Sequence, residues 1–140
     1  MEIFKDDALF NKKILVTGAS SGIGSDASKK FSDCGAKLIL LGRNEEKLKK
    51  VLSGLNNENH HVFITSDLSS EDSAYNLITG LDPKFLPLDG VFHSAGSELI
   101  KPIQITKTKD FNKVLAPSIF AALSLSRAIS KKGIMRDGGS

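Results

Sequence analysis

The sequence predicts an α/β fold, a doubly wound parallel sheet with helices on both faces, and three observations carry that prediction. Short apolar runs of strand length recur at 14–16, 36–41, 62–64 and 88–96, and stretches with helical apolar spacing separate them. The first strand, helix and second strand fit within about thirty residues, the span of a βαβ unit, whose crossover is right-handed and whose strands are parallel. The first strand also runs straight into a glycine-rich turn, the segment Lys12–Gly24 of sequence KKILVTGASSGIG. A sheet in the order 3-2-1-4 follows from winding outward on both sides of that first strand.

Residues 1–11 form a lead-in, with Phe4 and Phe10 expected against the sheet. Ile14, Leu15 and Val16 make the first strand, and Thr17 and Gly18 end it. Ala19, Ser20, Ser21, Gly22, Ile23 and Gly24 then lead into a helix. Small residues let backbone N–H groups approach a phosphate closely, and a helix N-terminus aims unpaired donors and partial positive charge the same way. Gly18, Ser20, Ser21, Gly22, Ile23 and Gly24 are therefore candidate contacts for a nucleotide pyrophosphate, the alternative being a plain turn that needs glycine for its positive φ.

Ile23, Ala27, Phe31 and Cys34 recur at helical spacing, and Gly35 stops that helix. Cys34 falls on the apolar spacing and reads as a buried structural thiol. The second strand, AKLILL from Ala36 to Leu41, leads into Gly42, Arg43 and Asn44. An acid at that place would bind a free ribose 2′-hydroxyl, whereas an arginine matches a 2′-phosphate. Residues 40–42 hold no acid, and Arg43 follows, so NADP(H) is expected over NAD(H); the alternative is a solvated arginine opening the next helix. Asn44 is a candidate cofactor contact beside Arg43 and also caps that helix, whose inner stripe is Leu48, Val51, Leu52 and Leu55.

His60 and His61 are adjacent at a strand start, so they point to opposite faces and cannot easily share a metal ion. Val62, Phe63 and Ile64 form the third strand, and Asp67 and Leu68 follow at the edge where such a fold places its ligand. Asp67 serves there as a ligand contact, as a turn residue, or as both, since Ser69 and Asp72 also stand at capping-box spacing. Ala74, Leu77, Ile78 and Leu81 give the third helix stripe. Leu88–Gly96, LDGVFHSAG, reads as a fourth buried strand entering a small-residue turn. Within it His93 has two readings, an acid or base and a packed, hydrogen-bonded histidine. The loop from Ser97 to Thr106 is placed to form a substrate wall. Phe111, Val114, Leu115, Ile119, Ala122, Leu125 and Ile129 then mark one long helix, which Pro117 should kink.

TGASSGIG, Thr17 to Gly24, resembles the TGxxxGxG cofactor motif of the short-chain dehydrogenases/reductases, a Rossmann-like family. The resemblance implies that Asp67 and Leu68 contact the adenine, and that Ser94, Ala95 and Gly96, in the place of the family's NNAG motif, pass close to the cofactor's ribose. His93 and Ser94 replace that motif's asparagines, and Ser118 stands where the family carries a catalytic helix asparagine. The family's YxxxK pair has no counterpart, because Tyr75, the only tyrosine, is followed four residues later by Thr79. Arg136–Ser140 resembles the opening of the family's fifth strand, so the likeness covers the cofactor half, truncated after the fourth strand and its helix. The fourth strand is then expected on an open edge, with poor solubility or self-association of the isolated chain. The long helix near 108–132 resembles one that family members use for dimer contacts.

Composition sets outer bounds. With 140 residues, 40% of them hydrophobic, the chain reads as a single NADP(H)-binding domain over residues 1–140, with no run long enough to span a membrane. A net charge of +3 comes from scattered lysines with no basic block among aromatics, which argues against nucleic acid as a partner. One cysteine and a first segment without an apolar signal core suggest the cytoplasm. Two functional expectations result. One is an NADP(H)-dependent oxidoreductase that reduces a small-molecule carbonyl or oxidises a hydroxyl, represented here without its catalytic residues. The other is a noncatalytic NADP(H)-binding module.

Overall fold

The structure, a computed structural model, describes Lys5, residues 7–70 and residues 72–140; the expected packing of Phe4 lies outside the described residues. Four parallel strands, β1 (Lys13–Thr17), β2 (Lys37–Gly42), β3 (Val62–Thr65) and β4 (Gly90–His93), lie in the order β3-β2-β1-β4, as the sequence predicts. β1 is central, with Ile14 opposite both Leu38 and Gly90 and Val16 opposite both Leu40 and Phe92. Successive side chains alternate between the two faces of a sheet, so a strand covered on both sides must be apolar throughout. Leu15, Ile39 and Leu41 accordingly join one core with Ile78 and Leu125, while Val16, Leu38 and Leu40 join a second core with Leu48.

The helices are α1 (Gly22–Asp33), α2 (Glu45–Leu52), α3 (Ser73–Thr79), α4 (Thr108–Leu115) and α5 (Ala121–Ile129). α1 departs from its expected stripe at its start, where Ile23 faces outward, but Phe31 packs on the second core and Cys34 is buried as expected. Its buried face is Gly24, Ser28 and Ser32, whereas Ile23 is 74% exposed. Bulk is excluded at Gly24 because the helix start lies on the glycine turn, and the serine hydroxyls are satisfied inside, Ser28 donating to the Gly24 carbonyl at 2.7 Å and Ser32 to that of Asn56 at 3.1 Å. In the lead-in it is Leu9, not Phe10, that packs on the sheet's core; Phe10 is exposed. The Ser69–Asp72 capping box does not form either, since Asp72 adopts φ 55° at the N-cap of α3 and pairs with Arg127 of α5 at 2.6 Å.

His61 is buried at the start of β3, a role the sequence does not announce. Its Nε2 lies 2.8 Å from the Asn56 carbonyl, which can only accept, so Nε2 carries the proton and Nδ1 accepts the Leu38 N–H at 3.1 Å. The Leu38 bond requires the neutral ring, since a protonated Nδ1 could not accept it, whereas the bond to Asn56 survives protonation. Burial pushes His61 below its ordinary 6.5, against the opposing pull of the Asn56 carbonyl, with nearby His60 lowering it further. The folded ring thus resists a proton that the unfolded one accepts, so this contribution to stability is complete above pH ~6.5 and is lost as the pH falls from there through the folded value. Urea unfolding at about pH 7.5 and 5.5 should show a loss that a His61→Asn variant lacks. Equal pH slopes in the two proteins would refute this account.

The long helix is broken as Pro117 predicts, by a π-helical turn over Ala116–Phe120 between α4 and α5. A π turn holds an extra residue, so the apolar stripe shifts phase across it. Ile119, expected inside, is therefore 60% exposed, while Pro117, Ala121 and Ala128 join the expected Leu125 at the inner positions; Phe111, on α4 before the break, is 59% exposed as well. The outer edge of β4 is also less open than expected. Leu88 bridges to Met135, Val91 N–H donates to the Ser140 carbonyl at 2.8 Å, and Ser140 N–H donates to Asp89 at 3.1 Å. Among the described residues, no helix is long and apolar enough to cross a membrane.

Candidate cofactor site

Parallel sheets leave a crevice at their carboxyl edge where the winding reverses, here between β1 and β4. A cleft of about 220 Å³ opens at that point. Gly18, at φ 65°, turns the chain out of β1, and a Cβ there would come within 2.7 Å of the Ser94 carbonyl oxygen. Gly24, in the first turn of α1, is tighter still, since a Cβ would strike the Gly18 carbonyl and stand 2.6 Å from Ser94 Oγ. The two glycines let three backbone segments meet where side chains would hold them apart.

Ser20, Ser21 and Ile23 line the cleft with these glycines. Ser21 is the N-cap of α1, extended at φ −167°, and its hydroxyl makes no capping bond, so that helix start keeps its donors without the usual side-chain acceptor. Gly22, at φ 51°, shapes the turn from outside the lining, with nothing near the place of a Cβ. Past β2, Arg43 lines the cleft at its exposed rim, while Asn44, expected as a contact beside it, is not among the lining residues and accepts the Lys47 N–H at 2.9 Å as the cap of α2. Asp67 and Leu68 line the same cleft past β3, the strand beside β2. Both readings of Asp67 are compatible with its place, because Oδ1 accepts the Ser69 N–H at 2.9 Å while the residue faces the cleft. That N–H, then the Ser69 hydroxyl, and finally the charge of Arg43 hold the Asp67 carboxyl below its ordinary value.

Ser94, Ala95 and Gly96 complete the wall, joined by Pro117 from the π turn. Behind it Thr17 is wholly buried, and its hydroxyl oxygen accepts N–H groups from Ser94 at 3.2 Å and Ala95 at 3.1 Å. His93 is the packed, hydrogen-bonded histidine of the two readings, 2.7 Å from Thr17 Oγ1 and 2.8 Å from the Ser118 carbonyl. Ser118 turns its hydroxyl to the Val114 carbonyl at 2.8 Å. Sequence reasoning missed Thr17, Ser66 and Pro117 as parts of this site. The kink signal of Pro117 could have found it, had the kink been asked what it faces. A broader groove, about 930 Å³, runs from Arg43 past Ser97, Glu98 and Leu99 to α4 and α5. Among the described residues, no cluster of three or more acidic, histidine or cysteine side chains could hold a metal ion.

A parallel sheet ordered 3-2-1-4, helices on both faces and a glycine turn at the switch point define a Rossmann-like α/β protein. Residues 12–140 match the family model described as short chain dehydrogenase, and the chain belongs to that family. It is 35% identical over 141 residues to the uncharacterized oxidoreductase YciK of Escherichia coli (strain K12), covering 97% of this chain and 56% of that protein. The 3-oxoacyl-[acyl-carrier-protein] reductase FabG of Rickettsia prowazekii is 34% identical, with 94% of this chain and 52% of that protein covered. A short chain dehydrogenase from Escherichia coli CFT073, solved in complex with NADPH, superposes with a TM-score of 0.78 at 35% identity, over 89% of this chain and 54% of that one. The chain thus spans about half the length of the curated relatives it matches.

Proposed function

We propose that this chain binds NADP(H) and forms the cofactor-binding part of an oxidoreductase that reduces a carbonyl, or oxidises a hydroxyl, of a small molecule. The observation that carries the reading is the pairing of the Gly18–Gly24 cradle with Arg43 at the rim of the same cleft. The backbone around Gly18, Ser20 and Ser21 and the uncapped start of α1 receive the pyrophosphate. Gly22 sets the turn, and Ile23 gives the cleft an apolar lip. Arg43 offers its planar donor fork to a 2′-phosphate, which no acid at 40–42 would repel. Asp67 and Leu68 border the adenine end, and Ser94–Gly96 the ribose. The relative solved with NADPH supports the choice of cofactor.

When bound, the dinucleotide supplies the hydride chemistry; the residues described here bind it, orient it and wall it from water. No acid for the substrate oxygen is assigned within these 140 residues, since Tyr75 lies on α3 beneath Arg127 and Lys131. The chain by itself is thus expected to bind without turnover. One observation favours the noncatalytic module as a second reading, the inward turn of the Ser118 hydroxyl onto Val114.

Calorimetric titration with NADPH, NADH and 2′,5′-ADP tests the proposal. NADPH should bind at least about tenfold tighter than NADH, and 2′,5′-ADP should bind too, because one charge-assisted phosphate contact contributes that much. Equal affinities would remove the 2′-phosphate role of Arg43. A folded chain that binds none of the three would remove the cofactor reading altogether.

A further inference from the structure

We propose that His93 is a positioning residue for the nucleotide cleft, holding the π turn to β1 as its neutral Nε2–H tautomer and so setting the wall made by Ser94–Gly96 and Pro117. The inference rests on the NADP(H) reading above and goes beyond it by giving the cleft's shape a specific support.

The proton positions follow from the partners. A carbonyl oxygen can only accept, so the 2.8 Å contact with Ser118 puts the ring proton on Nε2. Nδ1 of the neutral ring is then an acceptor, 2.7 Å from Thr17 Oγ1. That hydroxyl oxygen already accepts N–H groups from Ser94 and Ala95, which leaves its own proton for Nδ1. The result is a chain of one polarity, running from the Ser94 and Ala95 amides through Thr17 and His93 to Ser118. Every link has a role only it can fill, and reversing the imidazole would set donor against donor at Thr17.

The mechanical consequence lies in what the two ends carry. At one end, Thr17 precedes Gly18, whose backbone touches Ser94 so closely that a Cβ would overlap it. At the other, Ser118 follows Pro117, which faces the cleft. Ser94 adds a parallel tie, its Oγ donating to the Thr17 carbonyl at 2.8 Å. The imidazole is therefore the spacer between the glycine turn and the helix break. Hydrogen-bond networks of this kind, fully satisfied, fix a single arrangement.

Two substitutions separate positioning from packing. His93→Phe keeps a ring of similar shape and loses both bonds, whereas His93→Gln can accept from Thr17 through Oε1 and donate to Ser118 through Nε2. NADPH affinity should fall about tenfold in His93→Phe, and stay within about threefold of the parent in His93→Gln, as expected for the loss and recovery of two ordinary hydrogen bonds. Thermal midpoints measured on the same samples show whether His93→Phe is folded. ¹⁵N NMR of the unaltered protein reports the tautomer directly, and a protonated Nδ1 would overturn the proposal even if the variants fail to fold. Undiminished NADPH binding by His93→Phe would overturn it as well. Failure of the NADP(H) reading looks different, since the unaltered protein would then bind no NADPH.

Discussion

Arg43→Asp should lower NADPH affinity about 100-fold or more while leaving NADH within about threefold, a loss equivalent to roughly 3 kcal/mol confined to the phosphorylated cofactor. The size follows from two losses that add. Charge-assisted bonds to a phosphate contribute roughly 1.5–3 kcal/mol. Replacing the cation by an anion also reverses a Coulomb term of about 1 kcal/mol at 4 Å in water. Arg43 is exposed at the cleft's rim, so the aqueous figure is the appropriate one and salt should weaken the effect. Asp67 already places one carboxylate in the same cleft, near enough to feel the charge of Arg43, and a second would add to the repulsion of the 2′-phosphate. Arg43→Lys should fall between, because an ammonium is a point charge without the planar fork. Parallel titrations with NADPH and NADH read the difference. Equal losses for both cofactors would move Arg43 from recognising phosphate to maintaining the fold.

The largest effect on stability is expected from Gly24→Ala. The added methyl meets the Gly18 carbonyl and Ser94 Oγ, and the first of these is backbone that cannot rotate aside. Overpacking a tight site costs about 1–3 kcal/mol, and backbone must move here, so the upper end of that range applies and a melting midpoint lower by roughly 10 °C is expected. Gly22→Ala is the informative partner. Its Cβ would meet nothing, but its φ of 51° still disfavours a side chain by about 1 kcal/mol. Gly24→Ala should therefore be much the worse of the two by differential scanning calorimetry. If the two variants melt together, conformational freedom and not close approach explains both glycines.

How much was legible in the sequence depended on whether a signal was local. β1, the glycine turn and the reversal of winding were readable because strand period, small residues and helix spacing all lie within a few positions of one another. Arg43, Asp67 and the Ser94–Gly96 segment could be placed beside the cleft for the same reason, since each follows a strand at the sheet's carboxyl edge. The α1 stripe misled at its first turn because it ranks residues by apolarity, whereas close contact with the glycine turn selects for smallness and takes Gly24 in place of Ile23. Past Pro117 the stripe misled for a different reason, the extra residue of the π turn, which carries Ile119 outward and Ala121 inward. The roles of Thr17, His61 and His93 depend on partners far along the chain, and no periodicity could announce them.

The central place of β1 also has a consequence in time. Ile14 pairs with Leu38, a βαβ unit away, and with Gly90, on the far side of two further helices and a strand. Closing the longer loop costs about 1 kcal/mol more chain entropy than the shorter, so the β1–β2 pair is favoured to form first and β4 to dock afterwards. The glycine turn would then be present before its opposing wall, and the last stretch of backbone to arrive would be the one that turns an open platform into an enclosure. A nucleotide that needs both sides would find little to hold until that late docking, and by holding both it would slow their parting.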